Sequence, residues 1–177
     1  MKKIALVLIF LNLFICFIAP VSFAEDTVIL DTNFDTMPTW LGGEAFSIVG
    51  GALRLSGNAY ANFSGAKNYQ VESKVKFEKF ALFQFAMRAK GDEQYCFLIR
   101  NSETNSSEIE FMIIYQAGTV WNPLSVKAVP ASTIKLDTFY DIKTVAEDEL
   151  LSFYFDGKLQ TQVSNNLIPA KGMTNFY

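Results

Sequence analysis

From residue 51 onward the chain alternates between apolar and polar positions with a period of two, and helical spacing is hard to find. The stretch "GALRLSG" sets Leu53 and Leu55 against Arg54, and "YQVESKVKFEKF" sets Val71, Val75 and Phe77 against Glu72, Lys74, Lys76 and Glu78. "ALFQFAMRA" places Phe83, Phe85 and Met87 opposite Gln84, Ala86 and Arg88, and "QYCFLIR" places Tyr95, Phe97 and Ile99 opposite Gln94, Cys96, Leu98 and Arg100. "EIEFMIIY" does the same with Ile109, Phe111, Ile113 and Tyr115 against Glu108, Glu110, Met112 and Ile114; "LLSFYFDGK" repeats it with Leu151, Phe153 and Phe155. Turn-forming clusters, "KGDEQ", "NSETNSS", "AEDE" and "FDGK", separate these runs. Short strands joined by tight turns, with no helix able to cover a sheet, predict an all-β antiparallel sandwich of two sheets. Phe83, Phe85, Phe97, Phe111, Phe153 and Phe155 are its expected inner layer.

The amino end breaks the pattern. "MKKIALVLIFLNLFICFIAPVSFA" carries Lys2 and Lys3, an apolar run, Pro20, and small residues at Ser22 and Ala24 before Glu25. That order predicts a secretory signal peptide over residues 1–24 and a single domain over 25–177, secreted or periplasmic, with no membrane span once the signal is removed. Cys16 goes with the signal, and the residue before it, Ile15, is too large for lipoprotein processing. Cys96 is then the sole thiol of the mature chain, expected to be buried. The net charge of −3, more negative after the two lysines are lost, argues against a nucleic-acid partner, whose phosphates need a basic surface. With no histidine anywhere, the Ser-His and Cys-His nucleophile systems and the usual zinc sets are excluded. Any catalysis has to use carboxylates, Tyr, Lys or Arg.

Glu108 and Glu110 lie two apart on one strand, about 6.7 Å between Cα atoms, which lets their carboxyls approach the ~5 Å of a retaining glycosidase pair. The same alternation is also what the wet face of an ordinary strand looks like. By parity these two acids share the outer face with Arg100 and Gln94 of the preceding strand, and with Arg88 and Gln84 of the one before. Arg88, Arg100, Glu108, Glu110, Gln94 and Trp121 are accordingly the candidate ligand-binding residues, and Glu108 and Glu110 the candidate catalytic ones. Trp40, Trp121, Tyr60 and Tyr154 supply rings for stacking on a sugar or, equally, for capping the core. Asp31, Asn33 and Asp35 form an oxygen-rich cluster, short of the six to eight ligands calcium requires. No other cofactor is called for.

The pieces "NFDTMPTW", "GGALRLSG", "NYQVESKVKF", "FAMRAKGDEQYCFLIR", "FYDIKTVAEDELLSFYFDGKL" and "KGMTNFY", in this order and spacing, resemble the concanavalin A-like lectin and glucanase superfamily, in particular its laminin-G-like and 3-keto-disaccharide hydrolase jelly rolls. The resemblance implies a jelly-roll sandwich that binds or cleaves an extracellular glycan on a concave sheet, with a structural calcium in many relatives. In the family's glucanases one strand carries a nucleophile Glu, a central Asp and an acid/base Glu. "EIEFMI" matches with Glu108 as nucleophile, Glu110 for the Asp, and Ile113 or Met112 for the acid/base, neither of which can donate a proton. The expectation is therefore a lectin-like carbohydrate-binding or adhesion module. A glycoside or 3-keto-glycoside hydrolase, and a structural envelope subunit, are the alternatives. Domains of this type continue beyond the "KGMTNFY" segment into a strand that would pair near Asp31 to Phe34; a chain ending at Tyr177 is then expected to be a fragment, or to accept a strand from a partner chain.

Overall fold

The computed structural model describes residues 41–49, 52–61, 68–80, 82–168 and 173–176, with the backbone alone for 41–46, 52–61 and 173–176. The described strands are β1 (Leu41–Val49), β2 (Ala52–Ala61), β3 (Tyr69–Lys76), β4 (Leu82–Lys90), β5 (Glu93–Asn101), β6 (Glu108–Ala117), β7 (Val120–Pro130), β8 (Phe139–Glu147), β9 (Leu150–Phe155), β10 (Lys158–Ser164) and β11 (Met173–Phe176). They form a seven-stranded sheet in the order β1-β2-β11-β4-β5-β6-β7 and a four-stranded sheet in the order β10-β9-β8-β3. Every pairing is antiparallel. The hairpin turns fall where the turn chemistry placed them. Asp156 and Gly157 take φ of 47° and 70° in the two-residue β9–β10 turn, a left-handed pair that Asp-Gly adopts at least cost.

The two sheets enclose the apolar set read from the alternation. Phe85, Met87, Tyr95, Phe97, Ile99, Ile109, Phe111 and Ile113 of the larger sheet meet Tyr140, Ile142, Leu151, Phe153 and Phe155 of the smaller, with Phe83 packed at the margin. Phe153 sits between Phe97 and Phe111, ring centroids 5.6 and 5.7 Å apart, both edge-on. Phe155 stacks on Tyr140 at 4.7 Å. These offset and T-shaped contacts add specificity to the area buried.

Three features lie beyond what the alternation shows. Val120–Pro130 is an eleven-residue strand although Pro123 and Pro130 interrupt its pattern; it is an edge strand, where a missing N–H leaves no ladder bond unmade. The carboxyl-terminal β11 lies between β2 and β4, pairing Thr174 with Ala61 and Asn175 with Ala86. It is a central strand, so no gap separates β2 from β4; the pairing expected near Asp31 to Phe34 lies outside the described residues. The third is Arg88. The β4–β5 register shifts between Met87 and Lys90, and Arg88 takes φ of 54° in this bulge. Simple alternation puts its side chain on the outer face; the bulge turns it inward. Its guanidinium donates to the Asp148 carbonyl in the turn between β8 and β9 at 2.7 Å, and its backbone N–H donates to the Tyr69 hydroxyl at 2.8 Å. Arg88 therefore bridges the two sheets and is buried, which corrects its assignment to the ligand-facing set.

Candidate functional site

Because antiparallel partners share a face, the side of the large sheet turned away from the core can be followed row by row. Trp121, Gln116 and Gln94 form one row across β7, β6 and β5. The next runs through Pro123, Ile114, Cys96 and Ala86, with Asn175 and Tyr60 in register beyond them. Val126, Met112, Leu98 and Gln84 follow, then Ala128, Glu110, Arg100 and Leu82, and finally Pro130 beside Glu108. The middle of this face is apolar: Ala86, Cys96, Leu98, Met112 and Ile114 form a second buried cluster, separate from the sandwich core. Apart from Gln84, the polar side chains described on this face stand toward its two ends.

At one end Glu110 is held on both oxygens. Arg100 Nε donates to Oε2 at 2.9 Å and the Ser102 hydroxyl donates to Oε1 at 2.9 Å. Arg100 also pairs with Glu103 at 2.5 Å, so its charge is shared between two carboxylates. Ser102 is fixed in turn by the tight β5–β6 connection, where its N–H donates to the Glu108 carbonyl at 3.0 Å. A carboxylate with both oxygens engaged and mostly shielded from water is a structural ion-pair member. Glu108, half-buried, has no side-chain hydrogen bond among the described residues and points onto the same face.

At the other end the amides lock one another. Gln94 Nε2 donates to Gln116 Oε1 at 2.8 Å, and Gln116 Nε2 donates to the Gly118 carbonyl at 3.0 Å. Cys96 lies between them, its sulfur 3.3 Å from Gln116 Oε1 and 3.2 Å from the Gln84 amide that donates to it. Burial pushes the Cys96 thiol up to about 12, so it is a neutral packing group and a poor nucleophile. On the core side of this end, the Tyr115 hydroxyl donates to Glu93 at 2.5 Å, and that bond raises its pKa. Trp121 stands at the rim, 43% exposed.

The candidate residues thus fall into three places. Arg100, Glu108 and Glu110 are together; Gln94 and Trp121 share a row at the opposite end of the strands; Arg88 is inside. Gln94 and Arg100 stand near the two ends of β5, about 20 Å apart at the rise of an extended strand. Asp31, Asn33 and Asp35, and Trp40, lie outside the described residues; among those that are described, no cluster of acidic or thiol side chains suits a metal. Also among the described residues, no helix is long and apolar enough to cross a membrane. Two residues that matter here were missed in the sequence. Gln116 continues the parity of Glu108 and Glu110 one step past the apolar run, which was the available signal. Ser102 lies in a turn, where parity says nothing.

For glycosidic cleavage a proton donor and a second carboxylate must flank the bond. Met112 is on the face of Glu108 and Glu110, whereas Ile113 is in the sandwich core, and neither carries a proton to give.

By sequence, the chain matches no protein-family model and no curated protein. By structure it is similar to a carbohydrate-binding module, CBM66, from Bacillus subtilis, with a TM-score of 0.62 at 13% identity over 78% of this chain and 86% of that one. It is similar to a β-glucanase of Bacillus licheniformis, TM-score 0.57 at 15% identity over 82% and 81%. It is likewise similar to the carbohydrate recognition domain of Emp47p, TM-score 0.57 at 14% identity over 83% and 82%. The fold is a two-sheet sandwich of the concanavalin A-like kind.

Proposed function

We propose that the protein is a carbohydrate-binding module acting outside the cytoplasm, in the periplasm or beyond the cell, and that it does not cleave its glycan. The observation that carries this is the state of Glu110: both of its oxygens are occupied, by Arg100 and by Ser102, and among the described residues no second proton donor stands beside Glu108. Binding needs less. A ring exposed at the rim, fixed amides and an acceptor carboxylate match the alternating C–H faces and hydroxyls of a sugar. The similarity of fold to proteins named for carbohydrate binding supports the same reading. Affinity in the micromolar to millimolar range, roughly 4 to 8 kcal/mol, is expected for a shallow site.

The test is to incubate the full chain with soluble polysaccharides and assay reducing ends while measuring binding. Retention of polysaccharide with no new reducing ends, in wild type and Glu108→Gln alike, is the expected result. Reducing sugar released by wild type and lost in Glu108→Gln would make the protein a glycosidase.

A further inference from the structure

Resting on the placement outside the cytoplasm proposed above, we infer that Asn105 is a modification site, the acceptor of one N-linked oligosaccharide. The sequence meets the requirement in its longer form. "ETNSS", Glu103 to Ser107, contains an Asn-X-Ser triplet with no proline at X, the acceptor pattern of an exported chain. It also carries an acid two places before the asparagine, which one class of oligosaccharyltransferase reads in addition to the triplet. The other Asn-X-Ser triplet of the chain, "NFS" at Asn62, has Tyr60 in that place.

The fold supplies what a triplet alone lacks, which is presentation. "ETNSS" lies in the connection between β5, which ends at Asn101, and β6, which begins at Glu108, and all five of its residues are exposed. The backbone of this connection is satisfied by its own surroundings. The Asn105 N–H donates to the Ser102 hydroxyl at 3.3 Å, the Asn105 carbonyl accepts from the Glu108 N–H at 3.0 Å, and the Ser107 carbonyl accepts from the Ala131 N–H at 2.8 Å. The Asn105 side-chain oxygen accepts from the Ser107 N–H at 3.0 Å, an Asx turn that brings the first and third residues of the triplet together. Among the described residues no hydrogen bond uses Asn105 Nδ2, the atom that takes the sugar. An N-linked sugar leaves the side-chain oxygen in place, so the turn survives modification. Glu103 pairs with Arg100 at 2.5 Å, but its side chain is 73% exposed, and so open a pair is weakly held. When Glu103 turns to a transferase, Arg100 keeps Glu110.

The transfer is a substitution at carbon. Asn105 Nδ2 attacks C1 of a sugar carried on a polyprenyl pyrophosphate. The N–C bond forms as the bond from C1 to the pyrophosphate oxygen breaks, the lipid pyrophosphate leaves with that electron pair, and one amide proton passes to a base of the transferase. No oxidant or reductant enters. The attached chain borders the end of the outer face where Arg100, Glu108 and Glu110 stand, away from Trp121.

The experiment has two arms. In one, the folded full chain, made without export, is incubated with a purified oligosaccharyltransferase of the acid-reading class and an oligosaccharide on polyprenyl pyrophosphate, and intact mass and peptide maps are recorded. In the other, the protein is isolated from its source organism, its compartment and amino terminus are determined, and it is mapped in the same way. One glycan per chain, on the Asn105 peptide, is expected in both arms. In the first arm occupancy should vanish in Asn105→Gln and Ser107→Ala, fall ten-fold or more in Glu103→Gln, and stay within two-fold of wild type in Asn62→Gln; circular dichroism checks that each variant folds. Transfer to Asn62 in place of Asn105, or no transfer to the folded wild type, overturns the proposal wherever the native chain resides. An exported native chain with bare Asn105 overturns it as well. A native chain found in the cytoplasm overturns the placement on which the proposal rests, and the first arm then reads the acceptor by itself.

Discussion

Cys96 and Glu110 are polar or reactive side chains whose surroundings have settled their roles. In the unfolded chain the thiol ionises near 9.0, and in the fold burial raises this to about 12. A raised acid binds its proton more tightly when folded, so its contribution to stability is intact below pH 9 and is lost as pH rises toward 12, at about 1.4 kcal/mol per pH unit in that window. Urea midpoints of wild type should therefore fall faster than those of Cys96→Ala between pH 9 and 11. Parallel curves would show that the thiol is not held neutral. In native protein at pH 8 the thiol should also resist Ellman's reagent and react only on unfolding. For Glu110, replacement by Ala leaves the Ser102 hydroxyl only its 3.2 Å contact with Thr104 Oγ1 to donate into, and Arg100 with only the exposed Glu103. A loss of about 1 to 3 kcal/mol is expected in urea melts, against a few tenths for the similar change at Glu103.

The strands show which parts of the structure alternation can reveal. The runs containing Phe83 to Met87, Tyr95 to Ile99 and Ile109 to Tyr115 were legible because each carries an apolar face and a polar or mixed one, and period two then fixes which side chains meet the core. The Asp156-Gly157 turn was legible for its own chemistry, and Gly157→Ala should cost about 1 kcal/mol from left-handed strain alone, since no atom lies within 4 Å of an added methyl. Alternation failed where the ladder itself is interrupted. At Arg88 one extra residue in a bulge reversed the parity, moving a candidate ligand group into the interior, and no local signal in "MRAKGD" announces it. Alternation does not reveal β7 either, because proline argues against a central strand and the sequence does not say which strands are edges. Candidate site residues on one parity were brought to one face, as expected for Gln94, Arg100, Glu108 and Glu110, but parity carries no distance along the strand. That is why two separate ends looked like one site.

On the scale of the whole molecule, the inner face of the large sheet carries the core, and the proposed glycan site lies on the outer face of the same sheet. The inner face is aromatic: Phe153→Ala, which removes a ring with no exposed surface from between Phe97 and Phe111, should cost about 3 to 5 kcal/mol, a large part of a domain's total. Its thermal midpoint should fall steeply, and a change of only a degree or two would place the core elsewhere. Trp121, exposed at the rim of the outer face, belongs to neither buried cluster, so Trp121→Ala is expected to leave the fold intact. The central claim is that this sandwich holds glycan without cutting it. Affinity electrophoresis of the full chain through gels each cast with one soluble polysaccharide, among them barley β-glucan, galactomannan, xyloglucan and alginate, tests it most directly. Retarded migration in at least one gel, with the embedded polymer keeping its full length afterwards, is the result predicted; unretarded migration in every gel, or shortening of the polymer around the band, would contradict it.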